Sequence, residues 1–228
     1  MQIFKDISNL FFPELCLSCK DTLTNNEKIV CSFCNYELPT TDFTNNSNNL
    51  VEKTFLGRIQ FFEATSLLFY SKKGIVQKLI HNLKYHNQQE VGSFFGNWLG
   101  SIIHKSNRFK ELDYIVPVPL HKNKLKSRGY NQVTKFGEQL SKQINVPYIK
   151  GILVRTNVSK TQSKKIRLDR WKNVNEMFLV TDLSKFKNKH ILLIDDIITT
   201  GATIEACANE LFKTKNVTIS VVVMAVTE

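Results

Sequence analysis

The amino-acid sequence predicts an α/β fold with a mostly parallel sheet and flanking helices, preceded by a small four-cysteine module. Two observations predict the sheet: short β-branched runs alternate with helical patterns, and the runs are apolar at consecutive positions, as in strands covered on both faces. Two Cys-x-x-Cys pairs near the start predict the module. The chain of 228 residues is 42% hydrophobic and 22% charged, which excludes a disordered or fibrous protein.

The strands and helices follow in chain order from the spacing of apolar residues. A strand is predicted at 61–70, and the helix after it has apolar residues at Ile75, Leu79 and Leu83. A second helix is predicted over 133–144 on the same grounds. The other predicted elements are strands at 114–120, 191–198 and 219–226, with a helix from Ile204 to Leu211 between the last two.

Charge is distributed unevenly along the chain. Residues 1–50 carry three Lys or Arg and six Asp or Glu, a net charge of −3; since the whole chain carries +11, residues 51–228 carry +14. The junction is rich in Asn, Thr and Ser, which is typical of a linker or an exposed loop. We therefore predict two units, 1–50 and 51–228, and the basic balance of the second favours phosphorylated partners.

Neither a membrane span nor an export signal is visible in the sequence. No apolar run approaches the roughly 18 residues that a spanning helix needs. The first residues also lack a long apolar segment followed by a cleavage site of small residues. We expect a cytoplasmic protein with no membrane span.

Four of the five cysteines form two pairs, Cys16 with Cys19 and Cys31 with Cys34. Four thiolates at this spacing suit tetrahedral Zn²⁺, and a bound metal would supply much of the folding free energy of so small a module. A reducing compartment disfavours two disulfides, whereas an iron–sulfur cluster uses the same ligands and stays open. Four thiolates leave no open coordination position, so we expect a structural ion. The fifth cysteine, Cys207, is expected to be a buried core residue.

The stretch 190–203 joins an apolar strand, two adjacent carboxylates, a Thr/Gly loop and a helix. Gly201 lets backbone N–H groups approach a phosphate, and the helix that follows has its positive end there. Asp195 and Asp196 can accept hydrogen bonds from ribose hydroxyls. A plain strand-to-helix turn capped by an Asp is the alternative. Walker A and Rossmann glycine motifs are absent from the sequence, which argues against P-loop and dinucleotide-binding proteins.

The residues from Leu192 to Thr203 resemble the phosphoribosyl pyrophosphate (PRPP) signature of type I phosphoribosyltransferases. Three further segments, at 79–92, 115–132 and 155–178, resemble sequence motifs of a family that contains this signature. With the cysteine pairs, they make nearly the whole chain similar to the ComF family of competence-associated, phosphoribosyltransferase-like proteins.

This resemblance implies a binding site for PRPP with Mg²⁺, in which Asp195 and Asp196 hold the ribose. The residues implied for the 5′-phosphate are Thr199, Thr200, Gly201, Ala202 and Thr203. Those implied at the pyrophosphate are Pro117, Val118, Arg128 and Lys84. Arg128 and the two carboxylates are the expected catalytic residues.

The resemblance also implies a function: a competence protein that binds PRPP and supports the uptake or processing of single-stranded DNA, with that DNA and other competence proteins as partners. The alternatives are an active phosphoribosyltransferase of nucleotide salvage and a PRPP-sensing, nucleic-acid-binding module without turnover. The basic segments 121–135 and 155–172 would close over PRPP, bind DNA with Tyr130 or Trp171 stacking on bases, or form a solvated face. Since position 2 is Gln2, where glutaminase domains carry a cysteine nucleophile, we expect no glutaminase activity.

Overall fold

The β-branched runs form a sheet of four parallel strands in a computed structural model that describes residues 13–157 and 176–228. The strands are β1 (Ala64–Tyr70), β2 (Tyr114–Pro117), β3 (Leu153–Asn157), β4 (Glu176–Val180), β5 (His190–Ile198) and β6 (Thr218–Thr227). The strand order of the parallel sheet is β1-β6-β5-β2, and a separate antiparallel pair is formed by β3 and β4. The predicted parallel sheet is confirmed.

Helices cover both faces of this sheet. The helices of the described residues are α1 (Ser32–Tyr36), α2 (Leu50–Thr54), α3 (Ile75–Tyr85), α4 (Glu90–Lys105), α5 (Lys122–Arg128), α6 (Thr134–Ile144) and α7 (Ala202–Leu211), with one 3₁₀ turn at Ser184–Phe186. The three predicted helices correspond to α3, α6 and α7. The helix α4 and the basic helix α5 were not predicted.

Alternate side chains of the central strands pack into two different hydrophobic cores. In β5, Leu192 and Ile194 join a core with α3, α4 and α6, whereas Ile191 and Leu193 join one with α7 and the β3–β4 pair. This alternation is expected because successive side chains of a strand point to opposite faces. Cys207 lies in the second core with no exposed surface, as the sequence predicts.

Three glycines bring α4 close to α6. A Cβ on Gly96 would lie 2.6 Å from the Phe136 carbonyl oxygen, and one on Gly100 would lie 2.6 Å from Gln143 Cβ. Gly92, one turn earlier, is also packed against α6. Glycines disfavour a helix by intrinsic propensity, but their spacing of four places them on one face, where close packing compensates.

The cysteine-bearing segment packs against the first core. Cys16, Val30 and Leu38 are buried in the same cluster as Leu67 and Leu79 of the α/β region. Backbone contacts at 39–41 also join this segment to the outer edge of β1, where the Phe69 N–H donates to the Pro39 carbonyl at 2.8 Å. The boundary near residue 50 stays a prediction, since contacts of this kind occur both within a domain and between domains.

Candidate functional site

The carboxylate pair, Asp195 and Asp196, lies in β5 near the carboxyl edge of the sheet. Asp195 is 9% exposed, and its Oδ1 accepts a hydrogen bond from the Asp196 N–H at 2.8 Å. Asp196 is 5% exposed, and its Oδ1 accepts one from the Ile197 N–H at 2.7 Å. Parallel sheets of α/β proteins bind ligands at this edge.

The two carboxyl groups differ in charge balance. Burial, and then the neighbouring charge of Asp196, raise the pKa of Asp195 well above its usual range. Asp196 has a cation beside it: Lys84 Nζ, from the last turn of α3, lies 2.7 Å from Asp196 Oδ2. Burial therefore favours the neutral form of Asp195, whereas Asp196 has a cation within ion-pair distance.

Residues 199–203, which are expected from the sequence to bind a phosphate and are called the phosphate loop below, follow β5 directly, and the last two begin α7. Gly201 has a φ of +76°, a left-handed conformation that glycine adopts without strain. A Cβ at this position would also lie 2.5 Å from the Phe55 ring. The hydroxyl residues Thr199, Thr200 and Thr203 are exposed, so their side chains are accessible to a ligand.

A cavity of about 400 Å³ opens beside the carboxylate pair. Of the residues expected from the sequence, those lining it are Lys84, Val118, Arg128, Asp195, Asp196, Thr199 and Thr203. Thr200, Gly201 and Ala202 continue the same loop outside the lining, and Pro117 is buried at the end of β2. The structure thus brings most of the expected residues to one opening, while their roles stay predictions.

Hydrogen bonds fix the loop that follows β2 at the cavity wall. The Val118 N–H donates to the Ile194 carbonyl at 2.9 Å, and the Val118 carbonyl accepts from Asn131 Nδ2 at 3.0 Å. Arg128, at the end of α5, donates to Gln132 Oε1 at 2.9 Å and lies 5.1 Å over the Tyr85 ring.

Arg155 was not expected as a site residue, although it belongs to a basic segment that the sequence analysis names. It lies in β3, lines the cavity, and stacks at 5.4 Å over the Phe178 ring of β4. Burial lowers the pKa of the Arg155 guanidinium. Residues 158–172 of the basic segment, Trp171 included, lie outside the described residues. Tyr130 donates its hydroxyl proton to the Leu83 carbonyl, which ties its ring to α3.

The cysteine cluster consists of Cys16, Cys19, Cys31 and Cys34, whose sulfur atoms all lie within 4.8 Å of one another. The Cys19 and Cys31 Sγ atoms are 3.7 Å apart, close to the roughly 3.8 Å edge of a tetrahedron with 2.3 Å Zn–S bonds. Burial raises the pKa of Cys16, but backbone N–H bonds to its sulfur outweigh this and lower it to about 6. The cluster can hold a metal ion, as the spacing predicts.

Elsewhere in the described residues, no helix combines the length and the apolar composition needed to cross a membrane.

Comparison with known proteins supports this interpretation of the fold. A model of the phosphoribosyl transferase domain matches residues 127–227. Competence protein F of Haemophilus influenzae is 30% identical over 59% of this chain and 61% of its own length. Competence protein ComFC of Bacillus subtilis is 29% identical over 63% and 56%, and DNA utilization protein YhgH of Escherichia coli O157:H7 is 28% identical over 63% and 63%.

The aligned part thus spans about three fifths of the length of these relatives. A solved hypoxanthine phosphoribosyltransferase of Staphylococcus aureus is 17% identical over 59% of this chain and 62% of its own, with a TM-score of 0.37, too low to support an inference. The domain match and the curated relatives, taken with the parallel sheet, support the resemblance that the sequence motifs indicate. Residues 127–227 match a phosphoribosyl transferase domain, and the chain is similar to competence proteins F and ComFC.

Proposed function

We propose that this chain binds PRPP with Mg²⁺ at the carboxylate pair and the phosphate loop, as part of a competence-related function. One observation carries the proposal: acidic groups for a ribose and basic groups for phosphates line one cavity of about 400 Å³. The basic side chains Lys84, Arg128 and Arg155 come from three separate elements and converge there. A sugar that carries phosphate groups needs this combination.

Each part of PRPP has a chemically suited partner in this arrangement. The Asp195 and Asp196 carboxylates accept hydrogen bonds from the ribose hydroxyls, and the hydroxyls and N–H groups of the phosphate loop bind the 5′-phosphate. Lys84 and Arg128 neutralise the pyrophosphate. The carboxylate oxygens are also ligands that Mg²⁺ prefers, and the ion would supply further neutralisation of the pyrophosphate. Any transfer reaction here would depend mainly on positioning and electrostatics.

The names of the relatives suggest the biological setting. Two are competence proteins and one is a DNA utilization protein, so we propose that the chain acts in the cytoplasm on single-stranded DNA, together with other competence proteins. The charge of +14 on residues 51–228 supports a polyanionic partner. Structural Zn²⁺ in the cysteine cluster completes the proposal.

Calorimetric titration of PRPP with Mg²⁺ tests the binding site. We expect the wild type to bind, and the Asp195→Asn/Asp196→Asn variant to bind at least about 100-fold more weakly, since each lost ionic hydrogen bond contributes about 1.5–3 kcal/mol. Asp113→Asn is the matched control. The Asp113 carboxylate pairs with Lys189 at 2.8 Å, next to the first residue of β5, whereas the phosphate loop follows the last residue of that strand. Equal binding by wild type and double variant, or none by the wild type, would contradict the proposal.

Three assays separate the three functional alternatives. PRPP-dependent release of pyrophosphate in the presence of a purine, a pyrimidine or an amine would support an active salvage transferase. Binding of labelled single-stranded DNA that weakens steeply with added salt, without such release, would support a binding module. Loss of transformation in a deletion strain would support a role in competence, and unchanged transformation would refute that role.

A further inference from the structure

The phosphate loop contacts a segment that carries no sequence motif. Arg58, in the turn after α2, donates from Nη2 to the Thr200 carbonyl at 2.9 Å and also to the Thr54 carbonyl in α2. Its Nη1 forms an ion pair with Glu205 Oε2 in the first turn of α7, at 2.8 Å. One guanidinium therefore connects α2, the phosphate loop and α7.

The ring of Phe55 supports the same loop. Phe55 is 1% exposed, and the Arg58 guanidinium lies 5.5 Å over its ring. Phe61 packs edge to face against Phe55 with ring centres 4.8 Å apart, which restricts how far the ring can move. The Phe55 ring contacts the backbone of the phosphate loop, since a Cβ on Gly201 would lie only 2.5 Å from a ring carbon. The loop is thus in contact with a buried aromatic ring at its glycine and with a cation at the preceding carbonyl.

We propose that Arg58 is a positioning residue, which orients the phosphate loop for the 5′-phosphate; this rests on the proposed function. The Thr200 C=O and the Gly201 N–H belong to one planar trans peptide group, so they point in opposite directions. Because Arg58 holds the carbonyl, the Gly201 N–H is directed away from Arg58. A loop whose donors are already oriented loses less conformational entropy when it binds a phosphate. Arg58 does this from outside the cavity lining.

Calorimetric titration of Arg58→Gln with two ligands tests this role. PRPP with Mg²⁺ uses the phosphate loop, whereas pyrophosphate with Mg²⁺ uses the part of the site formed by Lys84 and Arg128. We expect the affinity for PRPP to fall about tenfold and the affinity for pyrophosphate to stay the same. Glu205→Gln removes the ion pair but keeps the bond to Thr200, so a smaller loss is expected.

Lys189→Gln is the matched control. Its side chain is 38% exposed against 37% for Arg58, and each forms one 2.8 Å ion pair, but Lys189 lies at the opposite end of β5. Unchanged PRPP affinity in Arg58→Gln, or an equal loss for PRPP and pyrophosphate, would overturn the positioning role. Failure of the wild type to bind PRPP is the distinct result that would overturn the proposed function, and this inference with it.

Discussion

The cysteine cluster and the carboxylate pair both bring acidic groups together, but on different frameworks. The cysteines lie on short loops and at the start of the five-residue helix α1, with Cys19 exposed. The carboxylates lie in a strand of nine residues that pairs with β2 on one side and β6 on the other. A site built on loops depends on its ligand for its structure, whereas a site built on a sheet keeps its shape without one.

The means of balancing charge differ in the same way. At the carboxylate pair, the protein itself provides the cation, Lys84, beside Asp196, and burial raises the pKa of Asp195. At the cysteine cluster, four thiolates would need an added metal cation to balance their charge, and that ion would also fix their geometry. The comparison therefore predicts that ligand removal unfolds one region and leaves the other folded.

Loss of a cysteine ligand is expected to have the largest effect. Structural Zn²⁺ contributes about 10–16 kcal/mol to the folding of small zinc-binding peptides, so Cys16→Ser should release the metal and unfold the segment around the cluster. Elemental analysis and hydrogen exchange of residues 13–50 would measure both changes. Cys207→Ala, which removes the buried cysteine of the other core, should keep the metal. Full metal content and unchanged protection in Cys16→Ser would contradict the comparison.

Removal of Lys84 should have an intermediate effect. Lys84→Met leaves the Asp196 carboxylate buried without its cation and is expected to lower the free energy of unfolding by about 3 kcal/mol. Asp196→Asn in the same chain should restore most of this loss, because the uncompensated charge is gone. Urea unfolding of the two single variants and the double variant gives the coupling free energy. If the losses in unfolding free energy of the two single variants simply add up in the double variant, Lys84 does not compensate the charge of Asp196.

The smallest effect is expected from the pH dependence of Asp195. In the unfolded chain this carboxyl ionises near pH 4, whereas in the folded protein burial raises its pKa, so the folded state retains the proton longer. The wild type should therefore lose stability relative to Asp195→Asn as pH rises above about 4, by up to about 1.4 kcal/mol for each pH unit. Urea midpoints of both proteins over this range measure the difference. Parallel pH profiles would show that Asp195 ionises normally.

The features that the sequence predicts best are those carried by neighbouring residues. The carboxylate pair and the phosphate loop lie within nine consecutive positions, 195–203, so strand geometry alone places them at one edge of the sheet. The two cysteine pairs are similarly local. In each case the chemistry follows from residue type and spacing, without knowledge of distant contacts.

Features that depend on distant segments could not be predicted in the same way. Arg58 meets Thr200, and Arg155 meets the cavity, only after the sheet has formed. The helix α4 was missed because Gly92, Gly96 and Gly100 lower helix propensity, although their spacing of four was a usable signal of close helix packing. In both cases tertiary contacts decide the outcome, and single-sequence patterns do not contain them.

The strand order has a consequence for how the protein folds as it is synthesised. β1 finds its parallel neighbour only in β6, which makes this the strand pair with the greatest separation along the chain. The apolar residues Leu67 and Leu68 of β1 leave the ribosome long before that partner does. Contacts between residues so distant in sequence slow folding, and the intermediates that lack them expose apolar surface and tend to aggregate. The cysteine-bearing segment, which is synthesised before β1 and contacts its outer edge, is suited to shield that strand until β6 is available.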